Sequence, residues 1–311
     1  PEGDAQAYAR FIEMGWQALT HPAEYGGIGL PRAVGAAAKE MLNAADMSFG
    51  LCPLLTDGAI EALLLTGSDE QKATYLGPLI EGRWSGTMNL TEPQAGSDLG
   101  RVATKAVRRA DGTYGISGTK IFITYGAHDL TENIIHLVLA RTPDAPSGPK
   151  GLSLFIVPQK LVEPDGTPGA ENAVNCVSIE HKLGVRASPT AVLEYDDATG
   201  FLIGEENSGL EHMFIMMNAA RFSVGVQGIA LSERSYQRAL AYARDRVQSR
   251  PVNGQSKHAV PIIEHPDVRR MLMRMRSLTE GGRAMAAATA GLLDMAHHRG
   301  DPETIAEAEF M

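Results

Sequence analysis

The spacing of apolar residues changes twice along this chain of 311 residues. It is helical near the start, where Tyr8, Phe11 and Trp16 fall on one stripe, and it becomes strand-like at about Trp84. The helical spacing returns after Gly204. Because a pattern with the period of a helix does not suit a strand, these changes divide the chain into helical, β and helical segments.

The sequence predicts an α+β, multidomain fold with three domains. Residues 1–83 form an N-terminal helical domain, residues 84–204 a compact antiparallel β-sandwich or barrel, and residues 205–311 a C-terminal helical bundle. We expect both helical domains to be partial, because the chain begins at Pro1 without Met and its last residues carry no stop signal. The chain is therefore expected to be a portion of a longer protein.

Several local signals predict individual helices. Ser68 followed by Gln71 is a capping box, which predicts a helix that continues through Ile80. A long helical pattern extends from Gly204 to Val247. The last helix, over residues 266–298, is predicted to bury one stripe: Val268, Met271, Leu272, Met275 and Leu278.

Charge and composition exclude several classes of protein. The formal net charge of −9 at pH 7 argues against a nucleic-acid partner, which needs clustered positive charge. No apolar run looks long enough to span a bilayer, and no signal peptide is legible. Cys52, Cys176 and the nine histidines lack metal-ligand spacing, and the cysteines show no disulfide pattern. We expect a cytoplasmic protein without a metal site.

A turn in the β-domain exposes hydrogen-bonding groups. Between Leu90 and Asp98, Pro93 excludes a helix interior, and Gly96 permits conformations that other residues resist. Such a turn leaves backbone N–H groups and the hydroxyls of Thr91 and Ser97 free to face a ligand rich in oxygen acceptors. The same hydroxyls could instead cap backbone groups of an ordinary turn.

A predicted hairpin follows this turn. Its strands, over residues 101–109 and 113–124, are joined through Asp111-Gly112, a strong hairpin signal. Phe122 and Thr124 are two residues apart and are therefore expected on one face of the second strand. An aromatic ring beside a hydroxyl suits a flat heterocycle that forms hydrogen bonds.

Two separated blocks carry a resemblance to a known family. The first is Thr91-Glu92-Pro93 with Ala95-Gly96-Ser97-Asp98, and the second is Gly118, Lys120-Ile121-Phe122-Ile123-Thr124 and Gly126. In order and spacing they resemble the flavin-binding β-domain of the acyl-CoA dehydrogenases. The order of helical and β segments is also similar to the plan of that family, and the resemblance covers essentially the whole chain.

The resemblance implies a flavin site with a role for each residue. Leu90 and Thr91 would meet the pyrimidine edge of the flavin through backbone and hydroxyl groups. Ser97 would lie near the FAD pyrophosphate and the pantetheine channel. Phe122 would pack on the isoalloxazine, and the Thr124 hydroxyl would approach flavin N5.

The resemblance also implies contacts from the C-terminal segment. Arg246 would reach the adenine-side phosphates of FAD in a neighbouring subunit. Asn218 and Arg221 match positions at which family members contact the acyl-CoA, although a surface ion pair is an alternative for Arg221. Segments 178–184 and 204–210 are similar to a larger branch of the family, which acts on 3-methylthiopropanoyl-CoA or on longer fatty acyl-CoA.

The activity implied by the resemblance is FAD-dependent α,β-dehydrogenation of an acyl-CoA thioester to the 2-enoyl-CoA, as in fatty acid β-oxidation. A glutamate removes the α-proton, a hydride leaves the β-carbon for the flavin, and the electrons pass to an electron-transferring flavoprotein. The resemblance also implies a homodimer or homotetramer. An acyl-CoA oxidase is the closest alternative, because the two classes share fold and flavin chemistry.

One position departs from the family pattern. Some members place the catalytic glutamate just before the arginine that matches Arg221, but Ala220 occupies that position and cannot abstract a proton. Other members place it in a late loop, which here would lie beyond Met311. We expect the base there, and a flavin or acyl-CoA binding scaffold without catalysis is the further alternative.

Overall fold

The structure, a computed structural model, describes residues 3–300 together with Pro302 and Ile305. Helices precede and follow a block of strands, which confirms the predicted fold class. Six α-helices lie in the described part of the chain: α1 (Asp4–Glu13), α2 (Arg32–Ala45), α3 (Met47–Thr66), α4 (Asp69–Ile80), α5 (Gly209–Asp245) and α6 (Pro266–Arg299).

The strands all lie between α4 and α5. They are β1 (Trp84–Asn89), β2 (Lys105–Arg108), β3 (Tyr114–Thr124), β4 (Asn133–Ala140), β5 (Ser153–Pro158), β6 (Lys160–Val162), β7 (Pro168–Glu171), β8 (Val174–Ile179) and β9 (Thr190–Ile203). Seven of them form one sheet in the order β1-β4-β5-β9-β3-β2, with β8 also paired to β9. Strands β6 and β7 form a separate pair.

The pairing in the large sheet is antiparallel except between β1 and β4. The hairpin predicted through Asp111-Gly112 is confirmed as the β2–β3 pair. Gly112 has a φ of +88°, and the Asp111 carboxylate accepts a hydrogen bond from the Thr113 N–H at 2.9 Å. The turn therefore needs a residue that tolerates a left-handed backbone, which glycine supplies.

The chain divides into two compact units. The larger contains Pro1–Leu30 and Ser48–Arg221, and the smaller contains Pro31–Met47 and Phe222–Met311. Helix α5 therefore has its first part in the larger unit and the rest in the smaller one. The division into domains at residues 83 and 204 stays a prediction.

The core of the larger unit has two hydrophobic clusters separated by the sheet. Every residue of β4 is buried. Leu137 and Leu139 belong to the cluster with Trp84 of β1, whereas Val138 and Ala140 belong to the other cluster. Because successive side chains of a strand point to opposite faces, most of β4 is apolar. Its two polar side chains are hydrogen-bonded: Asn133 donates to the Lys160 carbonyl at 2.8 Å, and His136 bonds the Thr87 hydroxyl at 2.7 Å.

In the smaller unit, side-chain contacts hold α2 against α6. Arg283 of α6 bonds the carboxylates of Glu40 and Glu233, and the Asp294 carboxylate accepts from the Arg32 N–H at 2.8 Å. The stripe predicted for α6 is only partly inward: Leu272 is 8% exposed, but Met271 is 46% and Leu278 67% exposed. The helical period shows which apolar residues share one face of α6. It does not show which of them are buried by a neighbouring element.

Two helices have the length and apolar composition of a membrane span, namely α3 with 20 residues and α5 with 37. The expectation that no apolar run is long enough to span a bilayer is therefore wrong, by length and composition. In its most apolar window, 72% of α3 is buried inside the protein, against 28% for α5. A core helix of a soluble protein passes the same test.

Helix α4 begins at the predicted capping box. The Ser68 hydroxyl accepts from the Gln71 N–H at 3.2 Å, and the Gln71 side chain accepts from the Ser68 N–H at 3.0 Å. The amide of Gln71 also donates to the Leu202 carbonyl at 2.8 Å, which ties the start of α4 to the end of β9. The cap thus satisfies two N–H groups that have no partner within the helix.

We predict that Ser68→Ala lowers the free energy of unfolding by about 1 kcal/mol, because the Gln71 N–H loses its acceptor. Urea unfolding measures the change. Ser147→Ala, at an exposed loop serine, is the control and should change stability by less than about 0.5 kcal/mol. Equal losses in the two variants would contradict a role for the cap.

Candidate functional site

A cleft of about 460 Å³ opens in the larger unit. Five residues singled out from the sequence lie around it, namely Leu90, Thr91, Ser97, Phe122 and Thr124. Its other lining residues are Leu55, Met88, Gly96, Leu99, Ile123, Phe214, Met217 and Arg221. The turn after β1 and the end of β3 therefore face one space, as the two sequence blocks predict.

Three hydroxyls in this cleft are free to bind a ligand. The side chains of Thr91, Ser97 and Thr124 have no hydrogen-bond partner among the described residues. The Thr91 N–H likewise donates to no backbone group in the described part of the chain. These hydroxyls do not cap backbone groups of the turn. The structure therefore gives no support to the alternative that they belong to an ordinary turn without a ligand.

Phe122 reaches the cleft through a distortion of β3. The β3–β9 register shifts between Lys120 and Ile123, and Phe122 has a φ of +61°. A left-handed backbone at a bulky residue costs about 1–3 kcal/mol. Phe122 is 58% exposed, so burial in the protein does not offset this cost. Backbone strain with an exposed ring is typical of a site that holds a ligand.

The glycine in the turn has another role than the sequence indicated. The φ of Gly96 is not in the left-handed region, and a Cβ placed there would meet no atom within 4 Å. The expectation that Gly96 supplies an unusual conformation is therefore wrong. Gly96 lines the cleft, so the missing side chain leaves space for a ligand.

A buried carboxylate holds the turn in place. Glu92 is 3% exposed and accepts from the Ala103 N–H at 2.7 Å, the Thr104 N–H at 3.1 Å and the Thr104 hydroxyl. Gly118 lets β3 approach, because a Cβ there would lie 2.5 Å from the Thr104 hydroxyl oxygen. The Lys120 ammonium donates to the same carboxylate at 2.8 Å.

Burial and pairing shift the pKa values of both ions. Burial opposes the charge of Glu92, but Lys120, the Thr104 hydroxyl and the Ala103 N–H outweigh it and lower the pKa of Glu92. Burial lowers the pKa of Lys120 to about 8, against the attraction of Glu92. Both residues lie in the two sequence blocks, but the sequence alone assigns them no role. The sequence signal for a buried ion pair is a lysine between apolar strand residues with a glutamate in the neighbouring block.

Arg221 lies at the cleft beside two residues of the same helix. Its guanidinium donates to the Asn218 amide oxygen at 2.7 Å and lies 5.5 Å from the centroid of the Phe214 ring. In the described part of the chain Arg221 has Asn218 and no carboxylate as its hydrogen-bond partner, so the structure gives no support to the alternative of a surface ion pair. Asn218 is exposed and orients Arg221.

The remaining predicted positions lie outside the cleft lining. Ala220 is half-buried and packs against the hydrophobic cluster that contains Trp84. Arg246 is in the smaller unit, where its exposed side chain donates to the Gln248 amide oxygen at 3.1 Å. No aspartate or glutamate is among the described residues that line the cleft.

His128 and Ser85 form a polar pair away from the cleft. The His128 Nδ1 accepts from the Leu130 N–H at 3.1 Å, so the neutral ring donates from Nε2 to the Ser85 hydroxyl at 3.0 Å. Burial lowers the pKa of His128 to about 4, which keeps the ring neutral. A histidine that donates to a serine cannot take its proton. Among the described residues, no three His, Cys, Asp or Glu side chains are grouped for a metal ion.

Comparison with known proteins shows the family of the chain. Models of acyl-CoA dehydrogenase domains match the N-terminal domain at residues 2–83, the middle domain at 87–198 and the C-terminal domain at 207–309. The chain is 70% identical to 3-methylmercaptopropionyl-CoA dehydrogenase of Ruegeria pomeroyi, over 100% of this chain and 53% of that protein. It is 31% identical to the probable acyl-CoA dehydrogenase YngJ of Bacillus subtilis, over 89% of this chain and 72% of that protein.

A solved structure supports the same relationship. The acyl-CoA dehydrogenase complexed with FAD from Bacillus anthracis matches with a TM-score of 0.79 and 26% identity, over 98% of this chain and 49% of that one. The chain belongs to the acyl-CoA dehydrogenase family. It spans about half the length of curated relatives such as the Ruegeria pomeroyi protein, of which it covers 53%.

The buried carboxylate makes stability depend on pH. The pKa of Glu92 is lower in the folded protein than its usual value of 4.5, so its contribution is complete above pH 4.5 and is lost as the pH falls through the lower folded value. We predict that Glu92→Gln lowers the free energy of unfolding at pH 7 by about 3 kcal/mol, because Lys120 loses its counter-ion. The difference from the wild type should shrink below pH 4.5.

Urea unfolding between pH 3 and pH 7 measures both effects. Glu24→Gln, at an exposed glutamate, is the control and should show neither. A difference between Glu92→Gln and the wild type that does not change with pH would contradict a stabilising carboxylate.

Proposed function

We propose that this chain carries the flavin site of an FAD-dependent acyl-CoA dehydrogenase. The observation that carries the proposal is the meeting of three unpartnered hydroxyls and the strained Phe122 ring around one cleft. The lining residues suit a flat heterocycle: an aromatic face, an apolar floor that includes Leu55 and Met88, and donors at one edge. The open space beside Gly96 supports the same assignment.

Each cleft residue has a proposed role. Leu90 and Thr91 bind the pyrimidine edge of the flavin, Phe122 packs on its ring, and Thr124 hydrogen-bonds N5. Ser97 lies by the pyrophosphate and the pantetheine channel. When bound, FAD supplies the acceptor for a hydride from the β-carbon of the substrate.

The proposed substrate is an acyl-CoA thioester, converted to the 2-enoyl-CoA. Arg221, oriented by Asn218, supplies positive charge at the cleft for the acyl-CoA. Bound FAD and acyl-CoA would displace water from the apolar part of the lining, which includes Leu55 and Met88. We propose a glutamate outside residues 1–311 as the base for the α-proton.

The narrower substrate and the partners are also proposals. The 70% identity to an enzyme named for 3-methylmercaptopropionyl-CoA favours that thioester over longer fatty acyl-CoA. The dehydrogenase branch that the chain resembles supports an electron-transferring flavoprotein as electron acceptor. We propose a cytoplasmic homodimer or homotetramer in which Arg246 reaches FAD of a neighbouring subunit.

The first test is FAD binding. We predict that the purified protein binds FAD and that Phe122→Gly weakens binding about tenfold, because the ring contact is lost. The same variant should unfold at an equal or higher temperature without FAD, since glycine relieves the strain at φ +61°. Equilibrium titration and thermal unfolding measure the two effects.

Asn207→Gly is the matched control for Phe122→Gly. It replaces another residue of positive φ, 68°, that does not line the cleft. It should leave FAD affinity unchanged. Absence of FAD binding by the wild type at saturating cofactor would overturn the proposed function.

The second test concerns the Thr124 hydroxyl. We predict that Thr124→Ala slows flavin reduction by acyl-CoA about tenfold or more, with a smaller effect on acyl-CoA binding. A hydrogen bond to N5 matters most while the hydride arrives. Stopped-flow decay of flavin absorbance measures the rate, and Thr119→Ala, in the same strand but outside the cleft lining, is the control. An unchanged rate would contradict the assignment.

Two outcomes would change the class of protein. Stoichiometric hydrogen peroxide from acyl-CoA, without any added electron acceptor, would assign the protein to the acyl-CoA oxidases. Binding of FAD and acyl-CoA without α-proton exchange in the full-length protein would assign it to the non-catalytic scaffolds.

A further inference from the structure

The Lys120 side chain contacts the main chain of the cleft turn. It is 0% exposed, and its ammonium donates to the Leu90 carbonyl oxygen at 3.0 Å as well as to Glu92. The next residue, Ile121, donates its N–H to the Thr91 carbonyl at 2.9 Å. Strand β3 therefore holds two successive carbonyls of the turn.

The Leu90 carbonyl and the Thr91 N–H belong to one peptide group. An ammonium that bonds the carbonyl oxygen draws electron density from the amide and strengthens the N–H as a donor. Thr91 lines the cleft, and its N–H has no backbone acceptor in the described part of the chain. One peptide group thus connects the buried positive charge of Lys120 to the N–H of Thr91, a residue that lines the cleft. We call this connection the relay.

Folding alone gives little reason for this ion pair. A buried pair loses the hydration of both ions, and apolar residues of similar volume are often as stabilising or more so. The carboxylate of Glu92 compensates the charge that Lys120 brings into the interior. A specific use for the ammonium is its bond to the Leu90 carbonyl, which no apolar side chain can provide.

We propose that Lys120 is a positioning residue that polarises the Leu90–Thr91 peptide toward the pyrimidine edge of a bound flavin. This inference rests on the proposed flavin site. Two-electron reduction places negative charge on the pyrimidine side of the ring, so a polarised donor backed by a cation stabilises reduced FAD more than oxidised FAD. Lys120 therefore raises the reduction potential of the bound cofactor.

The test removes the charge of Lys120 together with that of Glu92, so that neither ion is left buried without its counter-ion. In the double variant Lys120→Met with Glu92→Gln, both side chains are neutral and similar in volume to the originals. We expect the ratio of affinities for reduced and oxidised FAD to fall about tenfold, which lowers the two-electron potential by about 30 mV. Redox titration with a reference dye measures the potential.

Infrared spectroscopy gives a readout that a merely structural role would not move. With FAD labelled by ¹³C at its pyrimidine carbonyls, the carbonyl stretch should rise in frequency in the double variant, because its hydrogen bond is weaker. Lys160→Met is the control: it removes the same charge from a half-exposed lysine of the β6–β7 pair. It should change neither the potential nor the stretch.

The outcomes separate this inference from the proposed function. If the wild type binds no FAD, the proposed function fails first. If the double variant binds FAD with the potential and stretch of the Lys160→Met control, the role of Lys120 is overturned while the flavin site stands. Shifts in the expected directions support both.

A measurement on the wild type covers the case in which the double variant does not fold. In protein labelled with ¹⁵N-threonine, the Thr91 amide proton should move downfield when FAD binds, because it gains a strong acceptor. Thr91→Ser assigns the signal by its disappearance. A Thr91 amide signal that does not move when FAD saturates the protein overturns the relay.

Discussion

The cleft depends on one buried carboxylate. Glu92 joins three stretches of chain that are separate in sequence: the turn after β1, the entry to β2 at Ala103 and Thr104, and Lys120 in β3. Without it, the turn would have to satisfy these donors by other means in a place that excludes water. The free hydroxyls of the cleft are available to a ligand because Glu92, and not they, accepts the hydrogen bonds that shape the turn.

Much of the site follows from local sequence. Local signals predict residues that line one cleft in the structure. These signals are the turn residues, the hairpin signal and the spacing of Phe122 and Thr124. Phe122 is an exception, since period-two alternation does not predict the register shift of β3 at this residue. A bulge depends on the pairing with β9, which local sequence does not encode.

Other features could not be predicted, because they depend on tertiary contacts. A lysine in a strand is expected at the surface, and the buried Lys120 is tolerated because Glu92 and the Leu90 carbonyl accept hydrogen bonds from its ammonium. The apolar stripe of α6 was recognised, but its exposed Leu278 shows that periodicity does not identify the covering element. The sequence predicts an unusual backbone conformation at Gly96. In the structure, the absence of a side chain at Gly96 instead leaves space in the cleft.

The pairing of β3 with β9 has a consequence for the order of events during synthesis. Thr124 lies opposite Thr190, so the strand that carries Phe122 and Thr124 gains its neighbour only after about 66 further residues have been made. The turn and β3 can meet earlier, but the bulge that directs Phe122 needs β9. A ribosome-bound chain that ends before β9 should therefore have the donors of the cleft without its aromatic wall, and cofactor capture becomes a late step of biogenesis.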